Sequence, residues 1–206
     1  EVRATDGDAH LGGKDLDQFF NAGSYWRESS RPAPHNVYTS FDKLDSLNST
    51  KGYTSSAFAP WPRKADQKLA TPSAKTIDLA ISGPSFNVHY DYDPTSNSYH
   101  RSQGGAAHIA TSSAGDKTGT LLAPKVVIAL ITTYGINSDG QHSNYGVIGS
   151  GAVDIFQDGG ITSGTWSKAD RGSAISFKNI NGDEIKLNIG QTWITAVKDG
   201  QAHHSP

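Results

Sequence analysis

Cysteine is absent from this chain, which excludes a disulfide scaffold, a thiol nucleophile and any cysteine-ligated zinc or iron–sulfur centre. Methionine is absent too, even at position 1, where Glu1 stands. The chain is therefore expected to be a fragment, a processed product or one whose methionines are modified. Any export signal or lipid anchor is expected upstream of it. No run of 18 apolar residues occurs, so no segment reads as a membrane-spanning helix. There is also no basic stripe: 18 Lys and Arg are interspersed with 20 Asp and Glu, for a formal charge of −2. Nucleic-acid phosphates and anionic lipid surfaces both demand clustered cations, so neither is an expected partner.

What is present points to strands and turns. The 206 residues include 22 Gly, with four Trp, eight Tyr and seven Phe supplying much of the apolar bulk. The first 70 residues read as mixed. Asp15 to Phe20 is a short helix candidate ended by Asn21-Ala-Gly23. Ser40 is a candidate N-cap, with Asp42 in the first turn where the helix dipole favours an anion. Phe41, Leu44 and Leu47 then recur at helical spacing, and Gly52 suits the stop. Residues 54 to 74 hold Pro60, Pro62 and Pro72 and read as an irregular connection anchored by Phe58 and Trp61.

From about residue 75 the pattern is β. Phe86 to Asp93 alternates bulky and polar side chains, Pro94-Thr-Ser-Asn97 reads as a turn, and Ser98 to Arg101 returns as the partner strand. Pro124 to Tyr134 carries an unbroken apolar run, the mark of a strand buried on both faces. Five further strands are expected at 146–156, 161–166, 174–178, 184–187 and 192–197. Asp158-Gly-Gly160 and Asn181-Gly-Asp183 supply hairpin turns. The expected organisation is a mixed region over 1–74, a β-rich region over 75–199 and a loose tail over 200–206, all in one compact unit.

Arg31-Pro-Ala-Pro-His-Asn36 is the most informative stretch, and it follows Tyr25-Trp26-Arg27 closely. Two prolines stiffen the backbone and remove two N–H donors, so the segment is an ordered turn. It projects a guanidinium, an imidazole and an amide. Arg27, Arg31, His35 and Asn36 can form an anion pocket, since Arg forks carboxylate or phosphate and Asn fixes orientation. Alternatively they only satisfy carbonyls of the stiff loop. Thr5-Asp-Gly-Asp-Ala-His10-Leu-Gly-Gly13 gathers two carboxylates and an imidazole, but its spacing fits neither a calcium loop nor a zinc helix. No metal or cofactor is expected. Arg101 can pair with Asp91 across the proposed hairpin or join the Arg27/Arg31 pocket. Trp166 and Trp193 sit within strand patterns and read as core. No Gly-x-Ser-x-Gly or Ser-x-x-Lys pattern marks a nucleophile.

Several segments, in order, resemble the YerB-like bacterial lipoproteins of unknown function. They are Arg27 with Arg31 to Asn36, Tyr90-Asp91 with Tyr99-His-Arg101, Gly149-Ser-Gly151, Gly164 to Lys168 and Asn188 to Ile194. The resemblance implies an exported, lipid-anchored envelope protein with an α+β fold, in which two β layers and a helical layer pack together. It also places the His10-Leu-Gly-Gly13 turn near the arginine pocket. There are two departures: the family's first third has no counterpart here, and Ala110 stands where the family tends to carry an acid after His108.

The function expected is an extracytoplasmic module binding at Arg27, Arg31, His35, Asn36, Arg101 and His10. Its expected ligand is an anionic small molecule, a cell-wall fragment or an envelope protein. The alternative is a cell-wall-directed hydrolase or transferase with His35 as general base. A scaffold whose arginines only brace the loop is a third reading.

Overall fold

The computed structural model describes residues 16–55, 59–111, 118–138, 140–170 and 172–206. The chain forms two compact units, Glu1–Phe58 with Thr111–Thr118, and Ala59–Ala110 with Gly119–Pro206. Residues 59–74, expected to go with the N-terminal region, therefore belong to the second unit.

In the first unit a two-stranded ribbon pairs β1 (Trp26–Arg27) with β2 (Val37–Tyr38), Trp26 opposite Tyr38 and Arg27 opposite Val37. Helix α1 (Phe41–Thr50) begins where expected: the Lys43 amide donates to Ser40 Oγ at 3.3 Å. It ends at Gly52, whose φ of 73° is a left-handed stop that glycine reaches without a steric penalty. Phe41, on the apolar face of α1, is 87% exposed. The helix expected over 15–20 does not extend through its described part. Asp17 takes the Phe19 amide on its own carboxylate at 2.8 Å, and its carbonyl accepts from Phe20 and Asn21. A side chain that captures nearby backbone donors favours a turn over a helix.

The second unit contains β3 (Arg63–Lys64), β4 (Thr76–Leu79), β5 (Val88–Asp93), β6 (Ser98–Gln103), β7 (Ala106–Ala107), β8 (Ile109–Ala110) and β9 (Thr120–Leu121). It continues with β10 (Val126–Ile131), β11 (Tyr134–Ile136), β12 (Ser143–Tyr145), β13 (Gly149–Gln157) and β14 (Gly160–Lys168). The last four are β15 (Ser176–Asn179), β16 (Leu187–Asn188), β17 (Thr192–Val197) and β18 (Ala202–Ser205). Two five-stranded sheets result: a mixed sheet ordered β15-β14-β13-β10-β17 and an antiparallel sheet ordered β18-β4-β5-β6-β7. Only β10 and β17 run parallel within them.

Strand β10 explains the layering. Val127 and Ala129 face the antiparallel sheet and pack with Ile77, Leu79, Val88, Tyr90, Tyr99, Phe156 and Val197. Val126, Ile128 and Leu130 point the other way, into a second core with Ile155, Trp166, Phe177 and Leu187. Its unbroken apolar run is thus buried on both faces. The second core is covered by the 59–64 segment: Trp61 packs on Phe177 at 5.6 Å and donates its indole N–H to the Ile175 carbonyl at 2.8 Å.

Turn chemistry sets the registers. Asp158 (φ 60°) and Gly159 (φ 75°) form a two-residue primed turn between β13 and β14. Residues 200–206 are not a loose tail. Ala202–Ser205 adds β18 to the edge of β4, Ala202 packs on the first core, and the His204 ring lies 5.7 Å from Phe156.

Candidate functional site

The Arg-Pro-Ala-Pro-His-Asn stretch closes the β1–β2 ribbon. The Glu28 amide donates to the Asn36 carbonyl at 2.8 Å, and the Asn36 side-chain amide donates to the Glu28 carbonyl at 3.2 Å. Asn36 is buried, and its remaining oxygen accepts from Arg27 Nη1 at 2.7 Å. Asn36 therefore both fastens the loop and aims the guanidinium of Arg27. No carboxylate pairs with that guanidinium among the described residues. Arg27 lines a groove of about 330 Å³ together with Gln18, Phe19, Ala22, Tyr25, Trp26 and Val37. Arg31 and His35 are exposed on the same loop, and neither side chain makes a hydrogen bond among the described residues. His10 lies outside the described residues.

Arg101 stands in the second unit, and it does not pair with Asp91. In the β5–β6 hairpin Asp91 is opposite His100 and Tyr90 is opposite Arg101, so the two charges project from opposite faces of the sheet. Asp91 instead bonds the His89 ring on the outer face. Arg101 points inward, 4% exposed, with its guanidinium carbon 4.2 Å above the Trp193 ring. Its Nη1 bonds His108 Nδ1 and its Nη2 donates to Gln103 Oε1 at 3.2 Å, while Nε has no partner. An arginine cannot accept, so His108 Nδ1 is the acceptor and the imidazole carries its proton on Nε2. Beneath lies Tyr90, whose hydroxyl is pushed up to about 12 by burial against the opposing charge of Arg101. Trp193, expected as core, is half-buried between Arg101 and the first core.

A third cluster went unseen in the sequence, where Asp158 reads only as a turn residue. Its carboxylate is buried and accepts from Asn97 Nδ2 (2.8 Å), Asn188 Nδ2 (2.7 Å) and the Gln67 amide (3.0 Å), and it pairs with Lys64. Burial pushes this carboxyl up, yet the hydrogen bonds from Asn97, Lys64 and Asn188 outweigh it and hold it below the usual range. Every member has a partner, so the cluster is a brace. The Gly149-Ser-Gly151 and Gly164-Thr-Trp166 segments are also architectural. They pair across β13 and β14, with Trp166 opposite Gly151 and its indole N–H donating to the Ile131 carbonyl at 3.0 Å.

Among the described residues, two stacked β sheets, a short ribbon and one α-helix define a β-rich α+β protein. The chain belongs to the family described as "Protein of unknown function (DUF3048) C-terminal domain", which matches residues 77–194. It is similar to "Putative lipoprotein YerB" of Bacillus subtilis (strain 168), at 25% identity over 183 residues, 87% of this chain and 53% of that protein. The fold matches the crystal structure of the YerB protein from Bacillus subtilis with a TM-score of 0.75 at 23% identity, covering 93% of this chain and 63% of the other. The chain thus spans about half the length of the curated relative and less than two thirds of the solved one. Both the YerB-like resemblance and the β-rich α+β fold expected from the sequence are borne out.

Proposed function

We propose that the chain is an extracytoplasmic, envelope-associated binding module, tethered by an upstream lipid anchor, whose first unit takes an anionic, sugar-bearing cell-wall fragment. The observation that carries this reading is the Arg27 guanidinium, aimed by a buried Asn36 along a groove walled by Phe19, Tyr25 and Trp26. Aromatic walls offer area to the C–H face of a sugar ring, and a guanidinium without a carboxylate partner among the described residues offers a fork to an acidic substituent. Arg31 adds positive potential from the same loop, and His35 can donate from it once protonated. The lipoprotein name of the relative supports the compartment and the anchor.

The test is calorimetric titration of the chain with N-acetylmuramic acid, which carries a carboxylate, against N-acetylglucosamine, which does not. Saturable binding of the acid alone, weakened ~10-fold or more in Arg27→Ala, is the expected result, because charge-assisted hydrogen bonds are worth about 1.5–3 kcal/mol. Equal binding of both sugars, or an Arg27→Ala variant that binds like the parent, would refute it. The anchor is tested separately, by asking whether the full-length precursor partitions with membranes and is cut by protease added to intact spheroplasts.

A further inference from the structure

Arg101 is a buried cation without a counter-charge among the described residues. Among the described residues no Asp or Glu pairs with it, and its two acceptors, His108 Nδ1 and Gln103 Oε1, are both neutral. An arginine left only 4% exposed loses hydration that neutral acceptors and an aromatic face replace only in part. The deficit has a direction. Nε and Nη2 lie along one edge of the guanidinium plane. Nε has no partner on that edge, and Nη2 holds only the long 3.2 Å contact to Gln103. The hydroxyl of fully buried Tyr90 lies near Arg101 and Thr195 but makes no well-formed hydrogen bond with either.

We propose that the Nε/Nη2 edge of Arg101 is a recognition point for a small carboxylate-bearing ligand, which displaces the Gln103 amide oxygen. This site is independent of the groove in the first unit. A carboxylate presents two oxygens at the spacing of the two N–H groups on one guanidinium edge, so one group satisfies Nε and Nη2 together. Gln103 Oε1 stands in for one of those oxygens in the structure. The Trp193 ring, 4.2 Å from the guanidinium carbon, holds the plane in place, so the fork is already oriented before a ligand arrives. Gln103 and His108 beside it are half-buried while Arg101 itself is buried, so they mark its more open side. Gln103 ends β6, so the acceptor to be displaced sits at the strand's end rather than within it. A singly charged carboxylate suits so enclosed a position better than a doubly charged phosphate, whose dehydration is far costlier.

The experiment titrates sodium acetate into the full chain at constant ionic strength, with chloride as the replacing ion. The resonance of Arg101 Nε–H is followed by nitrogen–proton NMR and assigned through bonds from the Arg101 backbone. A saturable shift of that resonance is expected, accompanied by a rise in the thermal midpoint. Gln103→Glu places a carboxylate on the same edge from within the chain. This variant should unfold at a higher temperature than the parent and bind acetate ~10-fold or more weakly. The proposal is overturned by an Arg101 resonance that acetate does not shift saturably. It is equally overturned if inorganic phosphate saturates the shift where acetate does not, or if Gln103→Glu binds acetate as the parent does.

Discussion

Asp158→Asn removes one charge and one acceptor from the brace while leaving almost everything else in place. Asparagine has the shape of aspartate and tolerates the left-handed backbone that the φ of 60° requires, so the turn itself is not strained. The amide presents one acceptor oxygen where the carboxylate presents two. Asn97, Asn188 and the Gln67 amide already share Oδ1 and can keep it, but the new NH₂ takes the place of Oδ2 and faces the Lys64 ammonium. Breaking a buried ion pair by removing one partner costs about 3–5 kcal/mol. The Lys64 side chain keeps 25% of its exposure, against 8% for Asp158, so water can recover part of the abandoned ammonium. The low end applies, about 3 kcal/mol, which for a chain of this length lowers the thermal midpoint by roughly 6–12 °C. The deficit must also depend on pH. The folded carboxyl titrates below its usual range, so it contributes stability above the unfolded value of about 3.9 and loses it as pH falls through the folded value. The gap between parent and variant is therefore full at neutral pH and narrows in acid. Thermal and urea unfolding followed by tryptophan fluorescence, at pH 7 and about pH 3, measure both effects. A loss under about 1 kcal/mol at pH 7, or a gap of unchanged size in acid, would refute the brace.

Two further outcomes follow from single residues. The His89 ring bonds Asp78 at 2.7 Å and Asp91 at 3.2 Å; carboxylates only accept, so both ring nitrogens donate and the imidazole is charged. Partial burial disfavours that charge, yet the two carboxylates outweigh it and raise His89 above its ordinary value. Its contribution to stability is therefore present below pH ~6.5 and lost as pH rises through the folded value. An NMR titration of the ring proton giving a midpoint at or below ~6.5 would contradict this. For Gly151→Ala, the added methyl would lie 2.5 Å from the Ile131 carbonyl oxygen and 2.7 Å from Trp166 Nε1, crowding both ends of the hydrogen bond between them. Urea unfolding should show a loss of about 1–3 kcal/mol with a shifted tryptophan emission, and an unaltered midpoint would remove Gly151 from the core account.

Much of the second unit was legible because local chemistry and burial agree there. The β10 run is apolar on both faces and proves buried on both, and Ser40 caps α1 as its position before Phe41 suggests. The brace was not legible, because it joins Lys64, Asn97, Asp158 and Asn188 from four separate segments, and polar residues in turns ordinarily face water. The first unit was half legible: the ordered loop and the Arg27–Asn36 pair fit the reading of residues 31–36, whereas the aromatic groove needed the ribbon register that places Trp26 opposite Tyr38. Arg101 is the instructive case, since its environment was within reach of the sequence. The turn Pro94-Thr-Ser-Asn97 was identified, and a four-residue loop makes Asp93 face Ser98. Counting back along both strands puts Asp91 against His100 and Tyr90 against Arg101, with neighbouring pairs on alternate faces. Tyr90 is a large aromatic in a strand with a polar partner face, so its side belongs to the core. An arginine opposite it had to be buried and could not reach Asp91, and a buried arginine cut off from its nearest acid needs another acceptor. Register arithmetic therefore excludes the Asp91–Arg101 pair raised from the sequence, whereas the partnerless Nε is seen only in the structure.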